Sequence, residues 1–551
     1  MTRTDSRRAR MVALGAAGAM ALAGTGAVAA PAAAAPSAAQ VCEQRTNDTV
    51  AKLTDCVTLD GVMEHLEAFQ AIAEDNGGNR ASGTPGYDAS VGYVEQRLKD
   101  AGWEVTRQEF QFPFFQQISS AFSQAAPDEA TYVEGTDYAV MTYSASADVT
   151  ATAQAVDVVV PPPAAANGNT SGCEATDFAG FTRGNIALVQ RGTCPFGQKV
   201  ANAQTAGASA VVVFNEGQEG RTDVVQGTLG APGATIPAIG VSYALGSTLD
   251  GDTLRVAVEA VSEFRDTENV IADLPGHTSD NVVMAGAHLD SVPAGPGIND
   301  NGSGSAALIE VAENLADAEL PNTVRFAWWG AEELGLLGSN HYVAGLDQAQ
   351  RDRLALYLNF DMVGSPNFAR FIYDGDQSDF TVPPPTPTAP FFVPEGSAQI
   401  EYVFEDFYEE QELFYEGTEF SGRSDYQAFA IAGIPSGGLF TGAEGIKQPY
   451  QAEAYGGEAG VAYDPNYHQV GDDIANLDPE ALDQNSDAIA YAVLTLAYDT
   501  ERVNGVAGRP VPGGTFEGDP EAREYRISAA QANGGGGLHA GHDHDHDGDE
   551  I

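Results

Sequence analysis

Residues 281–315 read NVVMAGAHLDSVPAGPGINDNGSGSAALIEVAENL, and this stretch decides the fold. It begins with an apolar, β-branched run that predicts a buried strand, continues as a glycine-rich loop, and ends in an amphipathic pattern that predicts a helix. The later segments TVRFAWWGAEE, LGLLGSNHYVAGL and ALYLNFDMVG repeat the order strand, helix, strand. This alternation predicts an α/β fold, with a mixed, mostly parallel sheet covered by helices on both faces. In such sheets, ligands bind beyond the carboxyl ends of the strands.

The predicted strand ends and the loops after them carry one histidine and five acids: His288, Asp290, Asp300, Glu332, Glu333 and Asp361. If the strands lie parallel, these side chains project into one crevice and offer the donors that Zn²⁺ prefers. Two zinc ions about 3.5–4 Å apart need a bridging carboxylate, and a further carboxylate has to act as general base. Neighbouring acids point differently, so Glu332 and Glu333 can serve as base and ligand, although the pair alone also fits a helix N-terminus. Asp290 is placed to orient His288.

The charge of the chain is strongly negative. The 551 residues are 43% hydrophobic and include 26 Lys+Arg against 78 Asp+Glu, which gives a formal net charge of −52. The length predicts two or three domains. The charge excludes nucleic acid and anionic membrane surfaces as partners and favours solubility, as a solvated acidic coat does. We expect a monomer.

The first residues read as a targeting signal. Four arginines precede an apolar run over residues 11–30, and the sequence AVA at 27–29 fits a cleavage signal. Glycines interrupt the run and Pro31 follows it, so a signal peptide within residues 1–35 is favoured over a membrane anchor. The adjacent arginines also leave a twin-arginine route open. We expect a secreted, extracellular protein that is not held in a membrane.

The four cysteines form two local pairs along the chain. In an oxidising compartment, Cys42 with Cys56 and Cys173 with Cys194 are the natural disulfides. The alternative, a zinc site, needs a tighter C-x-x-C spacing that this chain lacks.

Six motifs occur together and in order: AGAHLDSVPAGPGINDNGSGSAA, VRFAWWGAEELGLLGS, YLNFDMVGSPN, GRSDYQAF, GGLFTGA and YDPNYHQVGDD. With them the chain resembles the secreted bacterial two-zinc aminopeptidases, a family that includes a leucine-preferring enzyme of streptomycetes. The resemblance implies the zinc exopeptidase fold and five metal ligands. His288 and Asp361 would hold one zinc ion, Glu333 and His468 would hold the other, and Asp300 would bridge the two.

The same resemblance implies further roles. Glu332 would be the general base and Tyr467, beside His468, would stabilise the oxyanion. Arg423 would place the substrate, and three positions match the pocket for its side chain: Met362, Gly422 and Phe440.

The chain departs from the family pattern in three ways, one of which is the inserted domain at 113–264. The cysteines that flank the Tyr-His pair are replaced by Asn466 and Gly471. Asp483 and Asp487 match acidic Ca²⁺ ligands, but the N-terminal partner position falls near Cys56, so a calcium site stays open.

We divide the chain into five parts: a signal peptide (1–35), the N-terminal part of the peptidase domain (36–112), an inserted domain (113–264), the main part of the peptidase domain (265–500), and a flexible linker with a His/Asp-rich tail (501–551). The insert has short β-type runs and few clustered ligands. Its segment GNIALVQRGTCPFGQKVANAQTAGASAVVVFN resembles the protease-associated domain, a smaller β/α unit. The tail is either a solvated appendage or a weak zinc scavenger.

The resulting prediction is a secreted metallo-aminopeptidase with two Zn²⁺ per chain. It would remove an N-terminal residue, large and hydrophobic such as leucine, from peptides by a zinc-activated water with a glutamate base. One alternative is a carboxypeptidase of the same superfamily, which would need more basic residues than Arg423 to hold a C-terminal carboxylate. The other is a non-catalytic binding protein on this fold, which would have lost ligands. His65, His277 and His341 match no ligand position and are interpreted as structural.

Overall fold

The computed structural model describes residues 41–42, 44–386, 390–514 and 523–527. The predicted signal peptide lies outside the described residues, and so does the His/Asp-rich end of the tail. Among the described residues, no helix combines the length and the apolar character that a membrane crossing needs.

The strands follow one another along the chain as β1 (Glu104–Ala126), β2 (Ala130–Tyr132), β3 (Tyr138–Val140), β4 (Ala147–Ala155), β5 (Ile186–Gln190), β6 (Ala210–Phe214), β7 (Ala238–Val241), β8 (Thr253–Leu274), β9 (Thr278–His288), β10 (Asn322–Trp329), β11 (Leu354–Phe360), β12 (Phe371–Tyr373), β13 (Glu416–Thr418) and β14 (Ser436–Phe440). They pair in the order β13-β12-β14-β11-β9-β10-β8-β4-β5-β6-β7-β3, while β1 pairs with β8 and β2.

The helices are α1 (Val50–Thr54), α2 (Leu59–Asp75), α3 (Pro85–Ala101), α4 (Phe196–Ala206), α5 (Tyr243–Gly246), α6 (Gly304–Leu315), α7 (Leu337–Gly345), α8 (Gln348–Arg353), α9 (Ser397–Glu410), α10 (Tyr426–Ile431), α11 (Pro449–Tyr455), α12 (Pro479–Tyr498) and α13 (Glu501–Asn504). Helix α3 ends before Gly102, which adopts the left-handed conformation that closes a helix.

The centre of the predicted peptidase domain is a parallel sheet. Strand β9 runs parallel to β10 on one side and to β11 on the other, and β11 runs parallel to β14. All seven residues of β11 are buried, which is typical of a strand covered on both faces. One buried core joins these strands to α2, α3, α6, α9 and α12. The predicted fold class, a mostly parallel sheet between helices, is confirmed.

Two very long antiparallel strands connect the peptidase domain to the insert. Strands β1 and β8 have 23 and 22 residues, and their pairing runs from Glu104 with Asp273 to Ala126 with Thr253. The predicted insert boundaries at 112/113 and 264/265 lie opposite each other in this ribbon, since Phe112 pairs with Arg265. The backbone continues through both boundaries as unbroken strand, so no flexible linker separates the two parts there.

Both predicted disulfides are present. Cys42 is bonded to Cys56, and Cys173 is bonded to Cys194. The first joins the segment before α1 to the connection between α1 and α2, and the second lies inside the insert.

Candidate metal centre

The strand-end acids converge at the carboxyl edge of the parallel strands. His288 is the last residue of β9 and pairs with Trp329, the last residue of β10. Glu332 and Glu333 follow β10 by three and four residues, and Asp361 directly follows β11. The side chains of His288, Glu332 and Asp361 are buried, with 1%, 0% and 2% exposure.

The loop that carries Asp300 is pressed against β11. One irregular helical turn, Ile298–Ser303, leads into α6. A Cβ at Gly304, the first residue of α6, would lie 2.3 Å from the carbonyl oxygen of Phe360, so only glycine permits this approach. Asn301 reinforces the contact, because its Nδ2 donates to the same carbonyl at 2.9 Å. The loop is thereby held beside Asp361.

Two carboxylates lie close to the outer nitrogen of His288. Its Nε2 is 3.2 Å from Oδ1 of Asp300 and 3.3 Å from Oδ1 of Asp361. Its other ring nitrogen, Nδ1, is 3.0 Å from the main-chain carbonyl of Asp290 and 3.8 Å from that residue's carboxylate. The sequence interpretation expected the carboxylate to orient the ring, but the main-chain oxygen is the nearer partner. The Asp290 carboxylate instead accepts from the backbone N–H of Glu332 at 3.2 Å.

A second histidine approaches the other side of Asp300. Nε2 of His468 is 3.2 Å from Oδ2 of Asp300 and 3.0 Å from Oε2 of Glu333. The two oxygens of Asp300 therefore face two different histidines. This is the arrangement that a carboxylate bridging two ions requires.

The donor spacing fits zinc. Two ligands that each lie about 2.1 Å from a tetrahedral Zn²⁺ are roughly 3.4 Å apart. The four histidine–carboxylate separations around Asp300 lie between 3.0 and 3.3 Å. His288, Asp300 and Glu333 form one cluster whose donor atoms all lie within 4.8 Å of one another, and His288, Glu332 and Asp361 form another.

Electrostatics point the same way. Burial works against a charged Asp300, yet His288 and His468 hold the pKa of its carboxyl well below the usual range. Burial likewise opposes a charged His468, but Asp300 and Glu333 raise its pKa to about 11. The cluster thus stabilises positive charge between its carboxylates, which is what a bound cation supplies.

Of the two adjacent glutamates, Glu333 is the closer to a histidine. Its Oε2 is 3.0 Å from His468, whereas Oε2 of Glu332 is 3.9 Å from Nε2 of His288. The two side chains therefore point to different parts of the centre, as expected for neighbouring residues. Glu332 is completely buried, with 0% exposure.

Several residues that the sequence interpretation missed hold the centre in place. Arg80 is fully buried and donates to the carbonyls of Leu289, Pro296 and Gly297, which fixes the loop after His288. Its spacing from the motifs gave no signal, since it precedes them by some two hundred residues.

Two further supports lie within quoted motifs. Ser424, in GRSD, donates to Oδ2 of Asp361 at 2.6 Å. Asp472, in VGDD, accepts from the backbone N–H groups of Asn299 and Asp300 at 2.8 and 3.0 Å. Both positions were quoted for the resemblance, but neither residue type identifies its partner without the fold.

Of the predicted substrate residues, Tyr467 and Met362 are direct sequence neighbours of the predicted ligands His468 and Asp361. The ring of Tyr467 stacks on His468 with centroids 3.8 Å apart. Tyr467, Met362 and Phe440 belong to one buried apolar cluster. Gly422 lies outside it, has φ +79°, and donates its N–H to the hydroxyl of Tyr426. Arg423 lies 3.4 Å from Glu444.

The candidate calcium residues lie on α12, next to the first disulfide. The charges of Asp483 and Asp55 add to burial in raising the pKa of Asp487 to about 7. Asp55, directly before Cys56, thus supplies an acid near the N-terminal partner position. Among the residues that the structure describes, these three do not form a cluster with donor atoms within 4.8 Å of one another.

Comparison with known proteins agrees with this geometry. The model of peptidase family M28 matches residues 269–493, and the PA domain model matches residues 152–249. An aminopeptidase of Pseudomonas aeruginosa is 46% identical over 460 residues, which cover 82% of this chain and 83% of that protein. Leucine aminopeptidase 2 of Trichophyton tonsurans is 40% identical, with 84% of this chain and 88% of that protein covered.

A solved structure shows the same fold. The aminopeptidase from Aneurinibacillus sp. strain AM-1 has a TM-score of 0.57 and 26% sequence identity, and the match covers 87% of this chain and 99% of that one. The chain therefore belongs to peptidase family M28 and carries an inserted PA domain. Within that family it is a metallo-aminopeptidase, so the predicted enzyme class is confirmed.

Proposed function

We propose that this enzyme removes the N-terminal residue of extracellular peptides and prefers a large hydrophobic residue such as leucine. The observation that carries the proposal is the bridging position of Asp300, whose two oxygens face His288 and His468 at 3.2 Å each. Relatives named aminopeptidase and leucine aminopeptidase support the reaction class and the preference.

The residues present fit two zinc ions. His288 and Asp361 would hold one, Glu333 and His468 the other, and Asp300 both. When bound, the ions polarise the scissile carbonyl and lower the pKa of an attacking water. Two contacts orient the side chains of His288 and Asp361. The main-chain oxygen of Asp290 lies 3.0 Å from Nδ1 of His288, and the hydroxyl of Ser424 donates to Asp361 at 2.6 Å.

Glu332 is assigned as the general base. It is buried beside the ligands, yet it lies farther from the histidines than Glu333 does. A carboxylate in this position takes a proton from the attacking water and delivers it to the leaving amine. Tyr467 is held by its stack on His468, and its hydroxyl would donate to the developing oxyanion.

The charge and the shape of the site favour binding of the N-terminal end of a peptide over its C-terminal end. The carboxylates around the centre attract a free α-ammonium group and repel a C-terminal carboxylate, which favours an aminopeptidase over a carboxypeptidase. Arg423 lies 3.4 Å from Glu444, whose negative charge offsets the attraction of the guanidinium for a C-terminal carboxylate. The buried Met362 and Phe440 provide apolar surface for a leucine side chain.

The setting of the enzyme is proposed to be extracellular. Two disulfides form and persist in oxidising compartments. The sequence-based expectations of a cleaved signal peptide, a monomer, and a calcium ion at Asp483 and Asp487 remain proposals that processing, sedimentation and metal analysis can test.

Hydrolysis of leucine-p-nitroanilide, with and without a chelator, tests the function. We expect turnover that a chelator abolishes and that added Zn²⁺ restores. N-acetyl-leucine-p-nitroanilide is the matched control, because it lacks only the free amine, and it should not be cleaved. Release of a C-terminal residue from an N-blocked peptide would instead make the enzyme a carboxypeptidase, and absence of any turnover by the zinc-loaded protein would make it a binding protein.

A further inference from the structure

A second cluster of metal-type ligands lies away from His288 and its neighbours, between α2 and α6. His65, Glu310 and Glu313 each place a donor atom within 4.8 Å of the others. Nε2 of His65 is 3.8 Å from Oε2 of Glu310 and 3.9 Å from Oε2 of Glu313. A purely structural role for His65, as expected from the sequence, accounts for only one of its two ring nitrogens.

One ring nitrogen of His65 contacts the hydroxyl of Tyr93, and the other nitrogen faces the two carboxylates. Its Nδ1 is 2.8 Å from the hydroxyl of Tyr93, and the ring has 0% exposure. Among the described residues, nothing forms a hydrogen bond with Nε2. The hydroxyl of Tyr93 can either donate to Nδ1 or accept from it. In the tautomer that donates from Nδ1, the lone pair lies on Nε2, which is the nitrogen nearest to the two carboxylates.

The two glutamates are built into the same place. They are three residues apart on α6 and therefore share one face of the helix. Glu310 is nearly buried and accepts from the backbone N–H of Thr58 at 3.2 Å. A Cβ at Gly61 would lie 2.3 Å from its carboxyl carbon, so the carboxylate reaches this position only because residue 61 is glycine. Burial, and after it the charge of Glu313, raises the pKa of Glu310 to about 7.

The cluster opens into an acidic cavity. Glu310 and Glu313 line a cavity of about 770 Å³ whose wall carries seven acidic side chains and two arginines. One of the arginines, Arg97, bonds both oxygens of Glu313 at 2.5 and 2.8 Å and Glu64 at 2.6 Å. A carboxylate has about four lone-pair positions, so Glu313 can accept from Arg97 and bind an ion together. Three glutamates, Glu64, Glu310 and Glu313, therefore surround one guanidinium beside the histidine.

We propose that His65, Glu310 and Glu313 form a further metal site, distinct from the catalytic centre, that binds Zn²⁺. One imidazole and two carboxylates match the preference of that ion, and the opening to the cavity leaves room for water as the fourth ligand. The donor atoms need to close from 3.8–3.9 Å to roughly 3.4 Å, which small side-chain rotations allow. Tyr93 orients the histidine, as hydrogen-bond partners of metal-bound imidazoles do.

The bound ion would tie α2 to α6. Helix α6 starts at Gly304, directly after the turn that carries Asp300, so the tie would stabilise the helix on which that turn depends. The site adds stability and takes no part in the proposed hydrolysis. It does not depend on the proposed function.

The test compares two isosteric variants of the full-length protein. Glu313→Gln removes a proposed ligand, and Glu64→Gln is its control, because it also removes one negative charge and one partner of Arg97. After equilibration with buffered free Zn²⁺, we expect Glu313→Gln to retain one zinc fewer per chain than wild type and Glu64→Gln to retain the wild-type number. The His/Asp-rich tail is the same in all three proteins, so its zinc cancels in the comparison.

Two further measurements make the result decisive. Tyr93→Phe keeps the packing but loses the orienting bond, and we expect the affinity for this zinc to fall about 10–100-fold. Added Zn²⁺ should raise the unfolding temperature of wild type and of Glu64→Gln by more than that of Glu313→Gln. Equal zinc content in wild type and Glu313→Gln would overturn the proposal. Loss of leucine-p-nitroanilide hydrolysis together with the zinc would also overturn it, because the missing ion would then belong to the catalytic centre.

Discussion

The peptidase domain and the insert each contain buried parallel strands, but they use the ends of those strands differently. In the insert, β5 ends at Gln190, whose side-chain oxygen accepts from Asn169 at 2.7 Å and from the backbone N–H of Val159 at 2.8 Å. Glu216, two residues after β6, accepts hydrogen bonds from the backbone N–H of Asn167 and from the side chain of Arg221. In the peptidase domain, β9 ends in His288, and the carboxylates that follow β10 and β11 converge on His288 and His468.

This difference shows what makes an active site at a strand edge. Parallel strands bring loop residues together in both parts of the molecule. In the insert, amide groups and a nearby arginine form hydrogen bonds with each polar side chain at these strand ends. In the peptidase domain, carboxylates gather around two histidines, a donor set that suits bound cations. The predictions that follow test whether the chemistry belongs to one part alone.

The largest effect is expected for Asp300→Asn. An amide cannot neutralise two ions, so both zincs should bind weakly and the rate should fall to that of chelated enzyme. Glu216→Gln, the matched change at a buried acid of the insert, should keep its zinc and its kcat. Metal analysis and leucine-p-nitroanilide kinetics on both variants check this. Wild-type activity of Asp300→Asn would contradict the assignment of Asp300 as the carboxylate that bridges the two zinc ions.

A smaller loss is expected for Tyr467→Phe. The phenyl ring keeps the stack on His468 and the zinc content, while the oxyanion loses one donor. Removing such a donor typically lowers kcat by about 10²–10³-fold. The measurement is kcat against KM for leucine-p-nitroanilide, and an unchanged kcat would mean that the hydroxyl does not contact the transition state.

The smallest effect on chemistry is expected for removal of the insert. The ribbon has to be cut beyond Phe114, because Phe110, Phe112 and Phe114 pack against Ala331, the residue before Glu332. Replacing residues 117–260 with an Asn-Gly turn joins the paired residues Gln116 and Val261. The shortened protein should hydrolyse leucine-p-nitroanilide like wild type but cleave long peptides with altered kinetics. A folded deletion protein without zinc would contradict a purely accessory insert.

How much of this the sequence could predict depends on the range of the interaction. The alternation of strands and helices places His288 and Asp361 at strand ends and Asp300 and Glu333 in the loops that follow strands, while their roles as ligands are implied only by the family resemblance. The length of the β1–β8 ribbon could not be predicted, because the composition changes at residue 113 whereas the backbone pairing continues through it.

Contacts between residues that are far apart in the sequence could not be predicted either. Arg80 gave no signal because its role is to donate to main-chain carbonyls, which any sequence offers. His65 was interpreted as structural because the other two members of its cluster come some 245 residues later, on a helix that was predicted only for its apolar face. In each case, the missing information was tertiary contact.

The central claim is that Glu332 and its neighbour Glu333 have separate roles, base and ligand. Zinc content and kcat measured side by side for Glu332→Gln and Glu333→Gln test it most directly. We expect Glu332→Gln to keep both catalytic zincs and to lose about 10²–10⁴-fold in kcat, the usual contribution of a general base. Glu333→Gln should lose the zinc that His468 shares. A Glu332→Gln protein that has lost a zinc, beside a Glu333→Gln protein that retains both, would reverse the two assignments.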